Sequence, residues 1–193
     1  TFITFEGGEG SGKSTHTRLL RNHLQAVGYE VVLTREPGGV RTAEQIRAII
    51  LSRDTDKTPL TELFLFEAAR SQYVTELVRP ALDEEKVVIS DRFYDSTTVY
   101  QGYAGGLPLD VIDNLNKLAT GNLVPDLTFV LDVPVDTGLE KTVGEFGEGT
   151  KDFIDLKGRE FHSKVNAAFR TLTRSDPYPP GRMVLVEYKK DDI

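Results

Sequence analysis

The sequence predicts a three-layer α/β protein whose five-stranded parallel sheet is flanked by helices. Short apolar runs alternate along the chain with amphipathic stretches, which is the pattern of parallel strands joined by helical crossovers. A glycine-rich loop lies between the first apolar run and the first amphipathic stretch, as in a strand–loop–helix unit. The length of 193 residues suits one domain with a sizeable core, so we expect a single domain over 1–193.

Five apolar runs rich in β-branched residues are the predicted strands, at residues 2–5, 30–34, 87–90, 127–131 and 183–187. The intervening helices are predicted over about 13–27, 42–51, 60–77, 96–101, 109–119, 135–142 and 159–172. Gly28 and Gly121 follow two of these helices, where glycine commonly ends a helix, and Pro80 is expected to break the third. The glycine-rich residues 144–149 predict a mobile lid, spanning about 144–158 inside the domain.

Composition and charge exclude several classes of protein. The chain has no cysteine, which excludes disulfides and thiolate metal sites and suits a reducing compartment. No apolar run reaches membrane-spanning length, and Thr1 starts a core strand, so we expect neither a membrane segment nor a signal peptide. The net charge of −7 disfavours a general nucleic-acid binder. We therefore expect a cytoplasmic protein with small-molecule ligands and no nucleic-acid or membrane partner.

The third predicted helix contains four successive apolar residues at 63–66, and these point in nearly all directions around a helix. One face can pack on the sheet, so the other must meet something else. A partner subunit and a bound ring are both candidates, and burial on both sides within one chain also stays open.

Residues 7–14 match the phosphate-binding pattern G-x-x-x-x-G-K-[ST] in full. The predicted nucleotide-binding residues are the loop and the residue after it: Gly7, Gly8, Glu9, Gly10, Ser11, Gly12, Lys13, Ser14 and Thr15. Backbone N–H groups at this helix N-terminus can wrap a polyphosphate. Lys13 would reach the β- and γ-phosphates, and the Ser14 hydroxyl would ligate Mg²⁺. The motif predicts a nucleoside triphosphate site but does not define the reaction.

A second group of charged residues is expected at the same edge of the sheet. Asp91 ends the third predicted strand, where an acid of P-loop proteins meets the Mg²⁺ shell, and Arg92 follows at once. Arg35 follows the second strand, and Arg70 lies one helical turn after Phe66 on the same face. Arginine binds phosphate bidentately, so this set predicts a second phosphate site, for a phosphomonoester.

Taken together, the motifs of the chain resemble those of bacterial thymidylate kinases, and the resemblance covers essentially the whole chain. The shared motifs are the phosphate loop with an acid at Glu9, Arg35-Glu36-Pro37-Gly38, Phe66-x-x-x-Arg70, and Asp91-Arg92-Phe93 followed by Ser96-Thr97-x-x-Tyr100-Gln101. The resemblance implies a P-loop kinase fold, transfer of the γ-phosphoryl group of ATP to dTMP with Mg²⁺, and a homodimer.

The resemblance also implies a role for each site residue. Arg35 and Arg70 would bind the dTMP phosphate, and Arg92 would lie near the transferred phosphoryl group. Phe66 would stack on thymine, and Tyr100 would pack against the deoxyribose. Three residues would read the base edge: Ser96, Thr97 and Gln101. Glu9 would approach the sugar 3′-hydroxyl, and a carboxylate in a phosphate loop is indeed stable only when it points away from the phosphates.

The chain departs from the family pattern at the transition-state arginine. The family carries this arginine in the phosphate loop or in the lid, but here the loop has Gly10 and the corresponding lid position is Phe153. An extra cation near the transferred oxygens can be worth several powers of ten in rate. Our hypothesis is that Lys151 or Arg159 supplies this cation when the lid closes. The predicted catalytic residues are thus Lys13, Asp91, Arg92, Lys151 and Arg159.

Three other classes of protein fit these motifs less well. A GTPase is disfavoured because Asn116-Lys117 is followed by Leu118-Ala119, so the guanine-reading motif is missing. A non-catalytic nucleotide-binding protein would not need a second set of arginines. A deoxynucleoside kinase is the closest competitor, but its neutral acceptor has less need of three arginines.

Overall fold

One sheet of five parallel strands, in the order β2-β3-β1-β4-β5, forms the centre of the molecule. The strands are β1 Phe2–Gly7, β2 Val31–Arg35, β3 Val87–Asp91, β4 Leu127–Asp132 and β5 Met183–Glu187. The computed structural model describes residues 1–54, 56–146, 153–175 and 181–189. The predicted fold class is confirmed, since the five strands are those expected and helices flank the sheet.

Eight α-helices are found in the described part of the chain: α1 Lys13–Ala26, α2 Arg41–Leu51, α3 Pro59–Tyr73, α4 Arg79–Asp83, α5 Tyr94–Thr97, α6 Leu109–Thr120, α7 Val135–Phe146 and α8 Gly158–Ser175. Local chemistry accounts for several of their ends. The Thr58 hydroxyl caps α3 by accepting the N–H of Thr61 at 3.2 Å. Gly121 ends α6 in the left-handed conformation with φ of 58°, as predicted.

The structure corrects two of the predicted helices. Pro80 does not end the helical stretch, because a π-helical turn at Val74–Val78 joins α3 to α4. Pro80 lies in the first turn of α4, where a residue without an N–H is tolerated. The helix predicted at 96–101 is instead α5 followed by a π-helical segment, Thr98–Tyr103. Such π-helical turns are frequent at functional sites.

Buried apolar clusters pack against the sheet, and its parallel strands all end at the same edge. Phe2, Val88 and Phe93 belong to one buried cluster, and Phe5 and Ile89 belong to another. In the parallel register, Asp91 lies beside Phe5 of β1 and Arg35 of β2. The carboxyl ends of β1, β2 and β3 therefore open at the same edge, which is where ligands of open α/β sheets bind.

The predicted lid lies partly outside the described residues. Helix α7 continues to Phe146, beyond the end predicted at 142. Residues 147–152, for which lid mobility was predicted, are outside the described part of the chain. The lid resumes with Phe153, a short 3₁₀ turn at Asp155–Lys157, and the start of α8. No described helix is long and apolar enough to cross a membrane.

Candidate active site

A cavity of about 890 Å³ opens at the carboxyl edge of β1, β2 and β3. Its size suits a nucleotide-sized ligand. Most of the site residues predicted from the sequence line it: Glu9, Gly10, Ser11, Gly12, Lys13, Ser14, Thr15, Arg35, Phe66, Arg70, Asp91, Arg92, Ser96, Thr97, Tyr100 and Gln101. Residues separated by up to 92 positions in the chain thus share one cavity, which joins the phosphate loop to the predicted acceptor residues.

The phosphate loop leaves β1 and leads directly into α1, which begins at Lys13. The Lys13 ammonium donates to the carbonyl oxygens of Gly7 at 3.2 Å and Gly8 at 2.7 Å, and to the Ser11 hydroxyl at 3.1 Å. Burial, together with the positive charge of Arg92, lowers the pKa of Lys13 to about 8. Through these hydrogen bonds to its carbonyl oxygens, Lys13 holds the phosphate loop closed. The same ammonium lies at the N-terminus of α1.

The two predicted Mg²⁺ ligands are brought together. The Ser14 hydroxyl donates to Asp91 Oδ2 at 2.7 Å, although the two residues are 77 positions apart. Hydroxyl and carboxylate oxygens are the donors that Mg²⁺ prefers, and Mg²⁺ usually takes only one or two protein ligands beside substrate phosphates. No cluster of three His, Cys, Asp or Glu that could hold a metal occurs among the described residues. The donor set therefore fits a Mg²⁺ ion that is bound mainly through phosphates.

Glu9, Arg92 and Tyr100 form one hydrogen-bonded group. Arg92 Nη2 donates to Glu9 Oε1 at 2.7 Å, and the Tyr100 hydroxyl donates to the same oxygen at 2.8 Å. Burial alone would raise the pKa of Glu9, but the cations of Arg92 and Lys13 lower it to about 2. Arg92 holds a φ of 72°, a left-handed conformation that costs a non-glycine residue about 1–3 kcal/mol. Such strain is typical of a position that serves function.

Glu6 is a buried residue of the site that sequence reasoning missed. It lies in β1 with no exposed surface, and accepts the N–H of Phe93 at 2.8 Å and the Ser96 hydroxyl at 2.6 Å. Burial and the nearby charge of Asp95 raise the pKa of Glu6 to about 7, although Arg92 opposes this. Glu6 therefore orients the segment after β3. Its signal in the sequence is a carboxylate inside an apolar strand, just before the loop.

Arg70 is buried, and carboxylates of the protein already pair with its charge. Only 1% of the residue is exposed. Its Nε donates to Glu36 at 2.9 Å and its Nη1 donates to Glu67 at 2.6 Å. Nη1 also donates to Asn116 at 3.0 Å, and Nη2 donates to Thr97 at 2.8 Å. Four of the five guanidinium N–H groups are thus used within the protein, and two carboxylates balance the charge.

Arg35 differs from Arg70 in its surroundings. Its side chain is 52% exposed and pairs with Glu44, whose side chain is 39% exposed. A pair with this exposure is weak and exchanges readily for a ligand. Phe66 lies on α3, is partly buried and lines the cavity, so its ring is available to a flat ligand.

Comparison with known proteins agrees with the motifs. The family model described as "Thymidylate kinase" matches residues 5–178. This chain belongs to the thymidylate kinase family. It is 44% identical to the thymidylate kinase of Geotalea daltonii over 191 residues, covering 96% of this chain and 88% of the relative. Over 194 residues it is 45% identical to the thymidylate kinase of Citrifermentans bemidjiense, covering 98% of this chain and 85% of the relative.

A solved structure shows the same fold. The crystal structure of thymidylate kinase from Ehrlichia chaffeensis superposes with a TM-score of 0.77 at 34% identity, covering 96% of this chain and 91% of that chain. The predicted family and its P-loop fold are therefore confirmed, and the chain is a kinase.

Close packing of the thymidylate kinase phosphate loop explains why it carries no arginine at Gly10. Gly10 has φ of 63°, and a Cβ added there would overlap the carbonyl oxygen of Gly138 in α7. A Cβ at Gly138 would in turn overlap the carbonyl oxygen of Glu9. Two glycines thus allow the backbone of α7 to lie directly against the phosphate loop. A side chain at either position would separate them.

The cations around the lid lie in different places. Arg159 makes two hydrogen bonds of 2.7 Å to Asp136, with 68% of its side chain exposed, and does not line the cavity. Lys157 pairs with the buried Glu62. Lys151 is outside the described residues. Lys141 does line the cavity, from α7, with its ammonium 5.3 Å from the centre of the Tyr188 ring.

Several other residues of the site carried no recognised signal in the sequence. They are Glu62, Glu67, Asn116 and Arg47. Each lies within a helix, where a polar residue is expected on the solvated face by default. Whether such a residue belongs to the site depends on which elements pack against its helix.

Proposed function

We propose that this chain transfers the γ-phosphoryl group of ATP to dTMP with Mg²⁺, producing dTDP for dTTP biosynthesis. The observation that carries the proposal is that the phosphate loop and a second group of residues, Phe66, Thr97 and Gln101, line a single cavity. The loop suits a triphosphate, and the second group suits a pyrimidine ring. Membership of the thymidylate kinase family supports both assignments.

Binding of ATP is assigned to the phosphate loop. The N–H groups at the start of α1 would hold the β- and γ-phosphates, and the Lys13 ammonium would turn from the loop carbonyls to the phosphate oxygens. Ser14 and Asp91 would hold Mg²⁺, which would neutralise part of the phosphate charge when bound.

Binding of dTMP is assigned to the lining residues outside the phosphate loop. Arg35 is the arginine best able to take the phosphate dianion, because its exposed bond to Glu44 is easily exchanged. Arg92 would lie between the two phosphates, held by Glu9 and Ser96. Arg70 is also assigned to the acceptor site. Because it pairs with Glu36 and Glu67, it attracts a phosphate less strongly than an unpaired arginine would.

Catalysis on this assignment is positioning and charge stabilisation. The acceptor phosphate is already ionised, so no general base is required. Rigid placement of both substrates lowers the entropic part of the barrier. Three residues are candidates for the transition-state cation: Lys151 and Arg159, which the sequence suggests, and Lys141, which lines the cavity.

We propose a homodimer in the cytoplasm. Helix α3 buries Leu63 completely but leaves Leu60 45% and Phe64 55% exposed, while Phe66 lines the cavity. The apolar run at 63–66 is thus divided among the core, the ligand site and an exposed face, and a second copy of the chain would cover that face. A monomeric mass by light scattering at micromolar concentration would contradict the dimer.

An ADP-release assay tests the reaction, with ATP against dTMP, dUMP, dCMP, AMP and thymidine. We expect the highest kcat/KM with dTMP, and a value for dUMP lower by about 10- to 200-fold, the usual discrimination for one methyl group. Turnover with thymidine but not with dTMP would instead identify a deoxynucleoside kinase. Stoichiometric ATP binding without turnover of any acceptor would indicate a non-catalytic nucleotide-binding protein.

A further inference from the structure

A chain of hydrogen bonds joins the lid to the predicted base-reading residue. The Lys157 ammonium donates to both oxygens of Glu62, at 2.7 and 2.8 Å. Glu62 Oε2 also accepts from Gln101 Nε2 at 3.1 Å. Glu62 and Gln101 are each only 2% exposed, and of the three only Gln101 lines the cavity. A lid residue therefore contacts the cavity through one buried carboxylate.

The chemistry of Glu62 determines which way the Gln101 amide points. A carboxylate only accepts hydrogen bonds, so the amide atom beside it must be the NH₂ group. The carbonyl oxygen of Gln101 then lies on the opposite edge of the amide. No hydrogen bond to that oxygen occurs within the described residues. It is therefore available as an acceptor to a ligand in the cavity.

We propose that Glu62 and Lys157 are positioning residues that hold the Gln101 carbonyl oxygen toward the ligand, and so select pyrimidines that carry an N–H on the ring edge. Thymine and uracil carry a hydrogen on N3, whereas N3 of neutral cytosine is an acceptor. An acceptor fixed at Gln101 pairs with the first two bases and leaves cytosine with two facing acceptors. This rests on the proposed use of dTMP as substrate.

Lys157 is needed because Glu62 is buried. A buried charge is costly unless it is paired, and the Lys157 ammonium pairs with the Glu62 carboxylate at 2.7 Å. The rings of Phe153 and Phe161 lie 5.2 and 5.0 Å from the Lys157 ammonium and flank the ion pair. Phe153, which occupies the position of the expected lid arginine, thus contributes to this pair.

The first test is the Glu62→Gln variant, which keeps the shape of the side chain but can offer Gln101 either a donor or an acceptor. We expect the ratio of kcat/KM for dTMP to that for dCMP to fall by about tenfold or more, since an enforced hydrogen bond accounts for such discrimination. The change should come mainly from KM. Lys157→Met, which keeps the apolar stem, should lower the same ratio, and it serves if Glu62→Gln does not fold.

Asp113→Asn is the matched control, because Asp113 is a half-exposed carboxylate that is also paired with a lysine, Lys117 on α6. Its ratio should equal that of the wild type. An unchanged ratio in the folded Glu62 and Lys157 variants would overturn the proposal, even if kcat/KM falls equally for both nucleotides. It would mean that the pair is only structural.

Binding separates this proposal from the proposed function. Dissociation constants for dTMP and dCMP, measured by calorimetry without ATP, give the ratio without turnover. A wild-type chain that prefers dTMP in binding, but does not phosphorylate it, would overturn the proposed function alone. A wild-type chain that binds dCMP as well as dTMP would overturn the role of Glu62 and Lys157.

Discussion

Replacement of Arg70 by alanine should destabilise the fold as well as weaken substrate binding. The change leaves the carboxylates of Glu36 and Glu67 without their cation, and the side chains of these two residues are 4% and 8% exposed. Breaking a buried ion pair by removing one partner typically costs about 3–5 kcal/mol. In a chain of this size, each kcal/mol lowers Tm by about 2–4 °C. Arg70→Ala should therefore melt well below the wild type.

The loss should also depend on pH. Burial raises the pKa of Glu36 to about 7, even with Arg70 beside it. A carboxyl whose folded pKa is raised favours folding while it is protonated, and this contribution is lost as pH rises from about 4.5 through 7. Without Arg70 the pKa of Glu36 should rise further. The difference in unfolding free energy between the wild type and Arg70→Ala should therefore be larger at pH 8 than at pH 5.5.

Urea unfolding followed by circular dichroism at both pH values measures these differences. Arg35→Ala is the control, because its exposed pair with Glu44 should contribute less than about 1 kcal/mol. Adding Glu67→Gln to Arg70→Ala should recover part of the loss. A loss below about 1 kcal/mol for Arg70→Ala, or the same loss at both pH values, would refute the reasoning. In the folded variant, an unchanged KM for dTMP would remove Arg70 from the acceptor site.

The other predictions concern the loop and the lid. Lys13→Ala should lower kcat by about 10²-fold or more, as removal of a transition-state donor does, and a smaller loss in steady-state assays would contradict its role. In the wild type, kcat/KM for ATP should fall as pH rises through about 8, where Lys13 loses its proton, and a flat profile to pH 9.5 would argue against this. Lys141→Ala should lower kcat by about tenfold or more while Arg159→Ala changes it less, because Lys141 lines the cavity and Arg159 does not; the reverse order would favour Arg159 as the transition-state cation. Gly138→Ala should raise the KM for ATP, because the added methyl group separates α7 from Gly10. Initial rates measured at increasing ATP concentration would detect this, and a KM equal to that of the wild type would show that the contact is dispensable.

Local patterns predicted most of the fold. The strand runs, the phosphate loop and the glycine at 121 depend on backbone dihedrals and side-chain periodicity, which neighbouring residues determine. The π-helical turns at 74–78 and 98–103 were not predicted, because an extra residue in a helical turn leaves almost no pattern in sequence. The sequence also does not predict that helical structure continues past Pro80, because the π-helical turn at 74–78 makes that connection.

For the candidate site, the sequence by itself determined the residue types and their order: a loop for phosphates, an acid at the end of β3, and three arginines. Only the tertiary structure decided their partners. Arg70 meets Glu36 across 34 positions, Lys157 meets Glu62 across 95, and Gly10 meets Gly138 through backbone contact. The physical reason is that these contacts depend on sheet register and helix docking, which are properties of the whole fold. They determine which arginine pairs with two buried carboxylates, which edge of the Gln101 amide meets Glu62, and where a side chain cannot fit.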